Sequence, residues 1–94
     1  MALSEEPVLR AFVKDGRISA MPAKRSKRLA LLDHVAGFFD VGVHYSEYDV
    51  NRILRTMFDD YVTLRRYLID EGFLDRANGE YWRSGGTVDT RDGG

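Results

Sequence analysis

Two adjacent arginines, Arg65 and Arg66, lie inside an amphipathic stretch that opens near Asp60 and ends at Gly72. A guanidinium offers a planar fork of N–H donors that matches phosphate oxygens, carboxylates and the O6/N7 edge of guanine. An arginine on the open face of a short helix therefore suits nucleic-acid contact, and one at a core boundary suits an internal acid. A helical wheel of about 100° per residue separates the two. Arg65 falls beside Tyr61 and Leu68 and is expected to pair with a carboxylate of the preceding helix, Glu47 or Asp49. Arg66 points away with Thr63 and Asp70. It is the better reader of an anion, assisted by Thr63 and Tyr67. Asp59 and Asp60 stand at the helix start, the end that usually enters a major groove, where their charge opposes a phosphate backbone.

A second basic group lies upstream. Between Arg10 and Arg28 stand Arg10, Lys14, Arg17, Lys24, Arg25, Lys27 and Arg28, against Asp15 alone, although the whole chain carries only a net charge of -1. Four of these, Lys24, Arg25, Lys27 and Arg28, occupy the start of a predicted helix, the wrong end for the helix dipole. Either an anionic partner or neutralisation by Glu5, Glu6 or another acid explains them. With Arg76 and Arg83 near a predicted hairpin, the candidate nucleic-acid contacts are Lys24, Arg25, Lys27, Arg28, Thr63, Arg66, Tyr67, Arg76 and Arg83.

Other chemistry has little to work with. The chain has no cysteine, which excludes disulfides, cysteine zinc sites and thiol catalysis. His34 and His44 are its only imidazoles, and neither has metal-ligand spacing around it. His34 reads as a surface or boundary residue next to Asp33. His44-Tyr45-Ser46 reads as a helix start rather than a nucleophile with its base. The glycines match no phosphate-binding loop. The expectation is a chain without cofactor or metal and without enzymatic activity. The N-terminus lacks a basic region followed by an apolar one, and a cytoplasmic protein is expected.

The elements that must position these residues follow from hydrophobic period and punctuation. Ser4 caps a first helix carrying Val8, Leu9 and Phe12, which Asp15-Gly16 is expected to stop. "RISAM" is a short strand candidate closed by Pro22. A second helix runs from Lys24–Ser26 to about Phe39 with Leu29, Leu32, Val35, Ala36 and Phe39 inward, widened by Leu31 and Phe38. Ser46 and Asp49 form a capping-box pattern for a third helix, with Tyr45 and Val50 placed as a staple. Val50, Ile53, Leu54, Met57 and Phe58 make its inner face. Asp59 or Asp60 caps a fourth, whose Tyr61, Leu64 and Leu68 face inward. Beyond Gly72 the period shortens, and a hairpin turning on Asn78-Gly79 joins Phe73–Arg76 to Glu80–Arg83. Tyr81 and Trp82 should face opposite sides.

This order predicts an α+β, mostly helical fold. It is that of a winged helix-turn-helix, with a three- or four-helix core and a C-terminal β-hairpin wing. The strand around Ile18 is expected to add a third strand to the small sheet. Residues 1–84 form the domain, and 85–94 a flexible tail in which Val88 could seek a groove.

Tyr45, Glu47, Val50-Asn51, Leu54, Asp60, Leu64-Arg65-Arg66, Leu68, Gly72, Leu74, Arg76 and Tyr81, with the upstream "FVKDGRISAMPAK", resemble an uncharacterised bacterial family of domains of unknown function. The likeness runs from about Leu9 to Arg83. Members stand alone or follow ArsR-like and other helix-turn-helix transcriptional regulators, so the resemblance implies gene regulation by association. Double-stranded DNA is the expected partner on the fold, ahead of single strands, because the aromatic residues lie apart from the basic run. The alternative is a protein-protein interaction module of winged-helix shape that binds a protein partner or a second copy. Balanced charge and the trio Phe73, Tyr81 and Trp82 favour it.

Overall fold

The computed structural model describes residues 6–87, which form four helices and two small antiparallel sheets. Helix α1 is Glu6–Phe12, and the strands β1 (Val13–Lys14) and β2 (Arg17–Ile18) follow at once. Then come α2 (Arg25–Ala36), β3 (His44–Ser46), α3 (Glu47–Arg55) and α4 (Tyr61–Asp70). Strands β4 (Leu74–Ala77) and β5 (Glu80–Arg83) close the fold. Ser4 and Glu5, the side chain of Glu6, and residues 88–94 of the tail, Val88 among them, lie outside the described residues. No described helix is long and apolar enough to cross a membrane.

One apolar cluster holds these elements together. Leu31, Leu32, Val35 and Phe39 from α2 and its exit meet Val50, Leu54 and Met57 from α3, Leu64 and Leu68 from α4, and Leu74 and Tyr81 from the hairpin. The inward stripes expected of α3 and α4 are those found. The expected widening of α2 holds for Leu31, which is buried, and fails for Phe38, which is 54% exposed. Helix α2 ends at Ala36, so Phe38 leaves the helical wheel and packs edge-on against His34 instead.

The ends of α3 and α4 are fixed by their own side chains. Ser46 Oγ accepts the Asp49 N–H at 3.1 Å, and Asp60 Oδ1 accepts the Thr63 N–H at 3.2 Å. Each relieves one of the unpaired donors of a helix start. At the far end of α4, Gly72 (φ +80) lets its own N–H reach Ile69 O and the Phe73 N–H reach Leu68 O. That pair of bonds is a Schellman close, and it turns the chain straight into β4.

The main sheet has strand order β3-β5-β4, all antiparallel. Asn78 (φ 54) and Gly79 (φ 80) form the β4–β5 turn, both in the left-handed region that a type I′ hairpin needs. The third strand is not the one expected around Ile18. His44–Ser46 fills that place, with Tyr45 opposite Tyr81 on β5. Arg17–Ile18 pairs with Val13–Lys14 through Asp15-Gly16, also at positive φ, in a separate hairpin. Asp15-Gly16 thus turns a ribbon rather than stopping α1, which has already ended at Phe12. Ile18 still serves the core: it is buried, and its N–H bonds to Met57 O at 2.7 Å.

Candidate nucleic-acid interface

The basic residues at the start of α2 are mostly committed to the fold. Arg25 grips Glu71 at the C-terminal end of α4, with Nε and Nη2 donating to the two carboxylate oxygens at 3.2 and 2.6 Å. These bonds hold Glu71 below the usual glutamate range and raise the Arg25 guanidinium further. Arg28 lies over the Tyr67 ring, 4.9 Å from its centroid, and Nη1 donates to Ala23 O at 3.1 Å. The misplaced charge at the α2 start is therefore neutralised in part by Glu71, a residue 46 positions downstream. Lys24 and Lys27 stay exposed.

Arg83 is likewise internal. Its guanidinium donates to the carbonyls of Gly85 and Thr87, and the Thr87 N–H donates to Asp33 Oδ1. The chain after β5 is thereby drawn back onto α2. Thr63 spends its hydroxyl on Asp60 at 2.8 Å, inside the α4 cap. Tyr67 is half-buried beneath Arg28. Arg25, Arg28, Thr63 and Arg83 each spend side-chain donors within the chain, so they are not the open cluster the sequence suggested.

A different pair does converge. Arg66 from α4 and Arg76 from β4 line one open cleft of about 310 Å³ with Arg65, Val62, Ile69 and Asp70. Arg66 is exposed and has no hydrogen bond or ion pair among the described residues. Arg65 was expected to bind Glu47 or Asp49, and it donates instead to the side-chain oxygen of Asn51 on α3. Asp49 turns to Arg52 at 3.7 Å, and Glu47 is occupied from the sheet side. An amide oxygen therefore orients Arg65 without cancelling its charge.

Arg76 is positioned by a relay over the Tyr81 hydroxyl. Tyr81, buried on the central strand, donates its hydroxyl proton to Glu47 Oε1 at 2.8 Å. The Arg76 Nη1 lies 3.4 Å from the same hydroxyl oxygen. Tyr81, and beyond it Glu47, raise the Arg76 guanidinium above its ordinary pKa. Three arginines, two of them held by neutral partners and one unpartnered among the described residues, thus concentrate positive charge on the open side of α4. Asp70 is the one acid among the residues lining the cleft, and Glu47 faces Arg76 from beyond Tyr81.

Two carboxylates at the α4 start are spoken for. Asp59 pairs with Arg17 at 2.7 Å, and Asp60 caps its own helix. The aromatic trio also resolves: Tyr81 is core, Phe73 packs against the core, and Trp82 stacks on His44 with ring centroids 4.8 Å apart. Tyr81 and Trp82 occupy opposite faces of β5, as alternation requires. His44 also holds Glu80 at 3.0 Å.

The residues that build this cleft and its relay lie within the stretch on which the chain matches a family profile. That profile is described as "Uncharacterized protein conserved in bacteria" (DUF2087), and it matches residues 17–83. The chain belongs to this family. Within DUF2087 the matched span takes in the second hairpin strand Arg17–Ile18 and everything from there to the end of β5, leaving α1 and β1 outside. No curated protein and no solved structure matches the chain.

Proposed function

We propose that this DUF2087 chain is a winged helix-turn-helix domain that contacts double-stranded DNA. It would act in the cytoplasm, as a transcriptional regulator or as an accessory domain of one. The run α2-β3-α3-α4-β4-β5 with sheet order β3-β5-β4 supports the architecture. It is the connectivity in which α3 and α4 are the helix-turn-helix pair and β4–β5 the wing. The observation that carries the functional reading is that Arg66 of α4 and Arg76 of the wing line the same cleft. A recognition helix and its wing address one duplex, so arginines shared between them meet neighbouring phosphates. Asp59 weighs less against this than its position suggests, since Arg17 neutralises it, whereas Asp60 is held by neutral Thr63 donors and keeps its charge.

Fluorescence anisotropy with a labelled random-sequence duplex at low salt tests the reading. Saturable binding tighter than about 100 µM that weakens steeply with added salt is expected, because phosphate contacts release counterions. A flat titration to that concentration removes DNA contact.

A second reading, a protein-interaction module that leaves DNA alone, is favoured by one feature. Phe38, Val41 and Val43 are exposed large apolar residues in the segment leading into β3, an edge strand of the main sheet. A protein partner or a second copy could cover them. Sedimentation equilibrium and cross-linking of the whole chain separate this from the first reading: a monomer at every concentration counts against self-association there.

A further inference from the structure

We infer that α4 reads sequence as well as phosphate, with Val62 contacting a thymine methyl group and Arg66 the O6/N7 edge of a guanine. The inference rests on the DNA reading above and deepens it. Val62 lies in the first turn of α4 and is 44% exposed, an apolar side chain on the lip of a basic cleft. It does nothing for the core, whose α4 contribution comes from Leu64 and Leu68. Arg66 follows four residues later on the same helical face, about 6 Å along the axis. That spacing spans about two base-pair steps of B-form DNA, whose rise is about 3.4 Å.

The chemistry of the stripe distinguishes base reading from a plain phosphate clamp. A surface that binds only the backbone gains nothing from an exposed valine and loses from a carboxylate. Here Asp70, four residues past Arg66 and without a hydrogen bond or ion pair among the described residues, lines the same cleft. In the major groove each side-chain type has a matching edge: a valine methyl the thymine C5-methyl, an arginine fork guanine, a carboxylate the exocyclic amines. Asp70 therefore disfavours close phosphate approach at that end and leaves the first two turns of α4 to set the register. Arg76, on the wing, supplies the phosphate contact that fixes orientation.

The test starts with selection of bound sites by the full chain from a random duplex pool. Each consensus thymine is then replaced by uracil, which removes only the methyl group, and each consensus guanine by 7-deazaguanine, which removes only N7. One uracil substitution should weaken the native chain by about fourfold, the worth of one buried methyl, and leave Val62→Ser unaffected. One deazaguanine substitution, within about two base pairs of that thymine, should weaken the native chain about tenfold and leave Arg66→Ala unaffected. Thermal melts of both variants should match the native chain, since both side chains are on the open face. Selection that returns no consensus while random duplex still binds overturns the inference and spares the DNA reading. So do base-analogue effects that persist undiminished in the two variants. Absence of binding to any duplex overturns both.

Discussion

The Tyr81 hydroxyl donates to Glu47 Oε1 across 2.8 Å, joining the central strand β5 to the first turn of α3. The contact ties the β4–β5 hairpin to α3, and the Arg76 guanidinium rests on its far side at 3.4 Å. Tyr81→Phe keeps the ring in the core and removes only this link. Net loss of a hydrogen bond of this kind is worth about 1 kcal/mol, which urea denaturation of the variant should show. If Arg76 binds phosphate, the same variant should also weaken duplex binding, because the arginine loses its support. Unchanged denaturation would mean that the link does not hold the hairpin.

Leu64 tests the core. It is fully buried on α4 between the neighbouring helices and the sheet. Leu64→Ala should destabilise the chain by about 2–5 kcal/mol, the span for deleting a buried leucine and leaving a cavity. A loss under about 1 kcal/mol in chemical denaturation would contradict a single cluster built on α2, α3 and α4.

Much of this was legible in the residues themselves, where a local rule decided. Ser46 announced its cap, the Asp59-Asp60 pair a cap that falls to Asp60, Asn78-Gly79 its turn, and Leu64 with Leu68 an inward face. What escaped were relationships across the chain. His44–Ser46 is a three-residue strand with no period of its own, and pairing with Glu80–Trp82 is what makes it one. Nothing local announces that Arg25 meets Glu71 or that Arg28 lies over Tyr67. Four basic residues in one turn therefore read as a binding patch, although two of them are fastened to α4 and the loop before α2. The cleft was half visible. The wheel separated Arg66 from Arg65 correctly, but the partner of Arg65 was an amide, and only the sheet register brought Arg76 alongside.

Glu71 carries a pH dependence. Its folded pKa is lowered, first by the hydrogen bonds from Arg25 and then by the positive charges of Arg25 and Arg28. A lowered carboxylate pKa gives stability that is complete above the ordinary glutamate range and is lost as pH falls through the folded value. Thermal melts should therefore show the native chain losing more between pH 7 and pH 3 than Glu71→Gln does. The difference will be small for a pair at the surface. Equal losses in the two chains would show that the pair adds no stability.

Gly85 packs where a side chain has no room. A Cβ there would collide with the carbonyl of Gly72, at the turn from α4 into β4, and Gly85 N–H bonds to Phe73 O at 3.2 Å. Gly85→Ala must push the segment after β5 off that turn. A lower melting temperature, with faster amide exchange at Gly85 and its neighbours, is expected. Gly86→Ala would be milder at its side-chain neighbours but strained by its φ of +93.

The salt dependence of duplex binding tests the central claim most directly, because it counts phosphate contacts and assigns them to residues. On random-sequence duplex, where Arg66 has no cognate guanine and meets phosphate as Arg76 does, Arg66→Ala and Arg76→Ala should each reduce the slope of log affinity against log salt by about one. Lys24→Ala with Lys27→Ala, exposed on the start of α2, should leave the slope unchanged. Loss of slope from the lysine pair, with none from Arg66 or Arg76, would place the duplex on α2 and contradict the account.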